Sequence, residues 1–158
     1  MKSGNKMQTE FYVASLEDLD LIYSFAANKL SKLAQDPTAF MFESWTAPWR
    51  KESLEHYLKG GWSFIATTLI QNKREVSGFF LAQPILFMSR QTQSLWIEML
   101  LGESQEITEF LIEIAVKTAR EKHLQRVLFA DYSHLKPYLD KFGVSQQQND
   151  IGEWNYNK

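Results

Sequence analysis

"SLWIEMLLGESQEITEFLIEIAVKTAREKHLQRVLFA", Ser94 to Ala130, places two apolar runs on either side of a stretch with helical rhythm. The first run, extended back to Thr92 as "TQSLWIEMLL", is a long strand; "RVLFA", Arg126 to Ala130, is a short continuous apolar run of the kind that forms a buried central strand. Between them Ile107, Phe110, Leu111, Ile114, Ala115 and Thr118 share one helical face. Lys117, Arg120, Lys122 and His123 gather at the end of that helix, where its dipole favours cations. A helix on the crossover between two strands makes the strands parallel neighbours.

Upstream the chain predicts antiparallel pairing. "WSFIATTLI" (Trp62 to Ile70) and "EVSGFFLAQPILFM" (Glu75 to Met88) flank the polar tip "QNKR", a hairpin a little longer than the tightest kind. With the strand from Thr92, reached through the polar turn "SRQTQ", they form a meander. Pro84 predicts a bend, a bulge or a lost ladder bond in the middle strand. "FYVAS", Phe11 to Ser15, reads as a first strand; Ser15 and Asp18 then resemble a capping box opening an amphipathic helix that carries Leu16, Leu19, Ile22, Tyr23, Ala26, Leu30 and Leu33. In "DPTAFMFESWTAPWRKE" two prolines, Pro37 and Pro48, break regular structure around Phe40, Phe42, Trp45 and Trp49, which predicts a loop folded on the core or forming the wall of a groove. A short helix from Lys51 to Lys59 stops at Gly60 and Gly61. "HLKPYLDKFG" is a last helix with Pro137 in its first turn, and the tail after Gly143 supplies one or two edge strands.

The 158 residues suit a single domain, residues 1–158, with a core that needs neither metal nor disulfide. Aromatic residues make up 14% of the chain, so a core or pocket rich in rings is expected. There is no cysteine, which removes disulfides, thiolate nucleophiles and thiolate metal sites together. His56, His123 and His134 fall on separate elements without ligand spacing, so no metal is expected. The start "MKSGNKMQTE" leads into no apolar stretch, which points to a cytoplasmic protein without a membrane association. A net charge of -2 and the lack of any Lys/Arg run argue against nucleic acid as partner. The composition fits a monomer or a homodimer equally.

The element order, together with three local stretches, resembles the GNAT N-acetyltransferase superfamily over almost the whole chain. "FYVASLEDLDLIYSFA" resembles the family's opening strand and helix. "WSFIATTLIQNKREVSGFFLAQPI" resembles its hairpin, with Gly78 starting the third strand. "AREKHLQRVLFADYSHLKPYLDKFGV" resembles the end of its third helix, its fifth strand and its fourth helix. The resemblance implies a mixed α/β fold: a mostly antiparallel sheet with one splayed parallel strand pair, flanked by helices. It also implies acetyl-CoA as acyl donor, wedged between the fourth and fifth strands, and an amine of a small molecule or peptide as acceptor. On this sequence the cofactor would follow the backbone of Met99, Leu100 and Leu101. Its diphosphate would lie over the turn at Gly102 and Ser104, with Ser133 near the end of the fifth strand as a further contact.

That turn is degenerate: only Gly102 stands for the family's glycines, no basic residue is present, and Glu103 and Glu106 oppose a phosphate. At a few ångströms such repulsion is worth about 1 kcal/mol even in water. Acidic residues also suit a helix start for its own stability. Amine acetylation needs a base for the amine proton and an acid for the leaving thiolate. Glu98, a carboxylate inside "LWIEMLL", is the candidate base, and strand alternation predicts that it shares a face with Trp96 and Leu100 while Ile97, Met99 and Leu101 take the other. Tyr138 is the candidate acid, standing one step before the position where the family often has its tyrosine, which is Leu139 here. Phe40, Phe42 and Trp45 are the candidate acceptor wall. Ser133 also suits a capping role at the last helix. Two alternatives keep the fold: a non-catalytic ligand-binding or protein-interaction domain, and an enzyme with a different acyl donor.

Overall fold

The computed structural model of the chain describes residues 7–87 and 92–156. The predicted end of the middle strand at Met88 and most of the "SRQTQ" turn lie outside the described residues. The elements are β1 (Thr9–Val13), α1 (Leu19–Leu33), α2 (Pro37–Ser44), α3 (Lys51–Gly60), β2 (Phe64–Ile70), β3 (Lys73–Phe87), β4 (Thr92–Gly102), α4 (Gln105–Glu121), β5 (Arg126–Phe129), α5 (Tyr132–Leu139), β6 (Ser145–Gln147) and β7 (Ile151–Asn155). The strands form one seven-stranded sheet in the order β1-β2-β3-β4-β5-β7-β6, antiparallel throughout except for the parallel pair β4 and β5. The expected mixed α/β architecture is therefore present, with the crossover helix α4 between the parallel strands.

Alternation along β3 feeds two cores. Phe80 and Ala82 pack beneath α4 and α5, while Phe79 and Leu81 pack beneath α1 and α3. All four are fully buried, and burying each large side chain is worth about 1.5–3 kcal/mol. The capping box is formed, with Ser15 N–H donating to Asp18 Oδ2 at 2.9 Å, although one 3₁₀ turn at Leu16–Asp18 precedes α1. No helix among the described residues is long and apolar enough to cross a membrane.

Several expectations are corrected. The hairpin tip is the tightest kind: Ile70 pairs with Lys73, and Gln71 and Asn72 take left-handed φ of 49° and 64°, which matches strand twist. The aromatic segment is partly helical. Asp36 accepts from Thr38 N–H at 2.9 Å to cap α2, and Pro37 sits at its start, where an N–H would have no helical partner anyway. Pro84 stays in register opposite Leu95; β2 reaches only as far as Phe80, so Pro84 lies where β3 is an edge. The buried stripe of α4 runs through Thr108, Leu111, Ile112, Ala115, Val116 and Ala119, so it is rotated from the predicted face and Phe110 is 44% exposed. Because α5 begins at Tyr132, Pro137 lies in its interior rather than its first turn. In the tail only β6 is an edge strand; β7 lies between β5 and β6.

Candidate active site

β4 and β5 pair from Ser94–Arg126 to Ile97–Phe129, and a last bond runs from Ala130 N–H to the Ile97 carbonyl at 3.0 Å. Beyond it the strands part. β4 continues to Gly102, while the chain after β5 turns away into α5 through Asp131 at φ 57°. Glu98 to Leu101 therefore have β3 on one side and no strand on the other. A cleft of about 400 Å³ opens at this gap, walled by Glu98, Met99, Leu100 and Leu101 on one side and by Ala130, Asp131, His134 and Leu135 on the other, with Leu30, Pro48 and Trp49 above it.

Glu98 stands at a bulge. Met99 faces Leu81 and Ile97 faces Ala82, so Glu98 is the extra residue on β4. The bulge changes which side chains share a face. Leu95, Ile97 and Leu100 pack in the core under α4, whereas Met99 and Leu101 pack toward α1 and α3. The predicted alternation through Leu100 is therefore overturned by one inserted residue. Glu98 is half-buried, and its Oε2 accepts from Trp96 Nε1–H at 2.6 Å. Tyr57 of α3, only 8% exposed, lies against the same pair; burial and the adjacent Glu98 charge push its hydroxyl up to about 12. Nearby, His56 Nε2 of α3 and Gln83 Oε1 of β3 are 2.9 Å apart.

The turn after β4 serves helix α4 first. A side chain at Gly102 would run into Thr108 of the first helical turn. Ser104 Oγ accepts from Ile107 N–H at 3.2 Å, Thr108 Oγ1 donates to the Ser104 carbonyl at 2.9 Å, and Glu103 N–H donates to the Ser77 carbonyl at 2.8 Å. Beside this turn lies a second hollow of about 180 Å³, bordered by Gly102, Glu103, Ser104, Gln105, Tyr138 and Lys29. Leu100, Leu101, His134 and Leu135 border it and the cleft together, so the two are continuous. Of the two glutamates only Glu103 borders the hollow. The missing positive charge arrives from α1: Lys29 makes no ion pair among the described residues.

No family profile and no curated protein matches the sequence. Solved structures do match. The PaiA N-acetyltransferase from Thermoplasma acidophilum, in complex with coenzyme A, superposes with a TM-score of 0.71 at 15% identity, covering 95% of this chain and 100% of that one. A GCN5-related N-acetyltransferase from Ralstonia eutropha JMP134 gives a TM-score of 0.67 at 13% identity, over 89% of this chain and 95% of that one. A chain of the NatC complex bound to Gag peptide and CoA gives 0.62 at 12% identity, over 93% and 95%.

The chain has the GNAT fold. Within it, the sequence-predicted residues divide into those at the cleft and those away from it. Glu98, Met99, Leu100 and Leu101 form its wall, and Gly102, Ser104 and Tyr138 border the hollow at the start of α4. Tyr138 is thus not among the residues walling the cleft beside Glu98. Ser133 is neither a cap nor a wall residue: it lies inside α5, and its N–H and Oγ both donate to Asp150 Oδ1, at 2.9 and 2.5 Å. Phe40 stacks on Trp49 with ring centroids 5.8 Å apart and borders an open groove of about 500 Å³. Phe42 and Trp45 meet edge-on at 5.0 Å, stand 54% and 61% exposed, and border none of these hollows.

Sequence reasoning missed Lys29, Tyr57, Asp131 and His134. Only Asp131 carries a local signal, since Asp tolerates the left-handed turn that a strand needs to break sharply into a helix. Among the described residues no three His, Asp or Glu side chains converge as a metal site.

Proposed function

We propose that this GNAT-fold chain is a cytoplasmic N-acetyltransferase, acting as a monomer or homodimer, that moves an acetyl group from acetyl-CoA to an amine of a small molecule or peptide. The observation that carries this reading is the parting of β4 from β5 after Ile97, which leaves a strand edge along the wall of a cleft with Glu98 at its bulge. That edge offers backbone donors and acceptors to an extended amide-bearing chain, as a further strand would. The hollow at the start of α4 suits a diphosphate at a helix N-terminus, with Lys29 offsetting Glu103. The donor supplies an acetyl thioester, whose carbon is open to a neutral amine.

Each residue then has a role. Met99, Leu100 and Leu101 hold the pantetheine arm, while Gly102, Ser104 and Lys29 face the diphosphate. Glu98 takes the proton as the N–C bond forms, and the Tyr138 hydroxyl supplies one to the sulfur as the C–S bond breaks; His134, which borders both hollows, is tested beside it. Leu30, Pro48, Trp49 and Phe40 form the acceptor side, and their apolar lining suits the body of the amine.

Thermal unfolding with acetyl-CoA tests the reading. At about a hundred times its dissociation constant a ligand adds roughly 2.7 kcal/mol, which corresponds to a rise of about 5–10 °C for a domain of this size. No shift at millimolar acetyl-CoA overturns the proposal. Glu98→Gln is expected to keep the shift and lose turnover; full turnover across pH would remove Glu98 as the base.

A further inference from the structure

Glu98 is held from behind. Trp96, two residues earlier on β4, brings its indole N–H to 2.6 Å from Glu98 Oε2. Tyr57, from the helix packed over this face of the sheet, is 8% exposed and lies beside the same carboxylate, and its burial and the Glu98 charge raise its hydroxyl. An indole donor and a buried phenol from two elements thus flank one carboxylate. A glutamate has three rotatable bonds, and a bulge alone does not choose among its rotamers; a fixed indole donor with a buried phenol beside it does. Neither Trp96 nor Tyr57 borders the cleft, whereas Glu98 does.

We propose that Tyr57 and Trp96 are positioning residues for Glu98, clamping the carboxylate from the side away from the cleft so that it meets the acceptor nitrogen in one orientation. This rests on the reading of Glu98 as the base. Both groups are suited to hold and not to react. An indole N–H does not titrate in water, and Tyr57, pushed up to about 12, keeps its proton throughout the neutral range. The clamp therefore leaves Glu98 as the group that changes protonation. It also gives a reason for burying a tyrosine where phenylalanine would fill the same space: the hydroxyl has a carboxylate to serve.

A double-mutant cycle tests the clamp, because groups that act through one another lose energy only once. Tyr57→Phe keeps its ring and Trp96→Phe keeps an aromatic ring, and each removes the polar hydrogen. Each is expected to lower kcat about ten- to a hundredfold, the order expected for a misplaced catalytic group, with KM for acetyl-CoA and its thermal shift unchanged. In the Glu98→Gln background, Tyr57→Phe is expected to cost less than twofold more. Full, multiplicative losses in the double variant would overturn the clamp, as would a Tyr57→Phe enzyme whose kcat is unchanged. An activity-free arm follows the Trp96 indole N–H resonance in a nitrogen-resolved spectrum, where Glu98→Gln is expected to move it and an unmoved resonance overturns the contact. A wild-type chain that neither binds nor turns over acetyl-CoA overturns the acetyltransferase reading instead, while the indole resonance still decides whether the clamp exists.

Discussion

Replacing Gly102 by alanine distinguishes two reasons for a glycine at the end of β4: to let a helix pack close, or to let a phosphate approach the backbone. The structure favours the first. A Cβ on Gly102 would stand 2.8 Å from the Thr108 backbone N, 3.1 Å from its Cα, and nearer still to its Oγ1. Oγ1 can rotate aside, but the backbone N can retreat only if the first turn of α4 shifts. Gly102 does not have the left-handed φ found at Gly61 and Gly143, so alanine meets no torsional penalty there. A narrower unfolded ensemble even returns about 0.4–1 kcal/mol. Overpacking costs about 1–3 kcal/mol, so the net expectation is a loss near 1.3 kcal/mol. At about 2–4 °C per kcal/mol for a domain of this size, Tm falls by about 3–5 °C. The assay is thermal and urea unfolding of the ligand-free protein, with Thr108→Ala added to the Gly102→Ala variant. Removing Oγ1 is expected to restore part of the loss and leave the part due to the backbone N. A Gly102→Ala protein as stable as the parent refutes the packing explanation.

Three further outcomes follow from the site. Lys29→Ala is expected to weaken acetyl-CoA about fivefold and Glu103→Gln to tighten it by a similar factor, as a charge worth about 1 kcal/mol requires. Glu106→Gln, away from the hollow, leaves affinity unchanged; calorimetry at two salt concentrations checks all three, and equal effects of Glu103→Gln and Glu106→Gln would refute the placement. Phe40→Ala is expected to raise the acceptor KM while Phe42→Ala and Trp45→Ala do not, since only Phe40 borders the groove; steady-state kinetics with one acceptor decides. Tyr57 is raised from 10.0 to about 12. Below pH 10 the folded and unfolded chains both hold this proton, and from about 10 to about 12 the unfolded chain releases it first, so stability falls with rising pH across that window. Urea midpoints measured up to pH 11.5 should decline less steeply in Tyr57→Phe; an identical slope would count against the buried phenol.

The strand, helix and strand from Thr92 to Phe129 were legible because their periods differ and the crossover rule then fixes direction. Finer details were legible in proportion to how local their causes are. The capping box at Ser15 and Asp18 is three residues wide and is present. Asp36, Pro37 and Thr38 spell a helix start as plainly, but Pro37 read as a breaker because its role depends on whether it stands first or inside. The tight turn at Gln71 and Asn72 lacked the glycine that usually marks it. The bulge at Glu98 was hidden because "LWIEMLL" is almost continuously apolar, and a run without polar gaps carries no phase in which a slip would show. Lys29 could not be found beside the turn it borders, since α1 reaches that turn only through the folded sheet. The place of Ser133 after β5 suits a contact or a cap, but Asp150, brought up by the tail, takes both its donors.

The extra residue on β4 also gives that strand a reading frame. Before it the odd-numbered positions face the core under α4 and after it the even-numbered ones do, with Ile97 and Leu100 together under α4 and Met99 and Leu101 on the opposite side. Removing the Glu98 codon would therefore take out the bulge and leave the phase as it is. Ile97 and Met99 would become consecutive residues opposite Ala82 and Leu81, as regular pairing requires, with Leu100 still beneath α4 and Leu101 still on the other side. Deletion at this position can therefore be silent for folding while it removes the carboxylate, whereas flattening the bulge with the residue kept would turn every later side chain to the wrong layer.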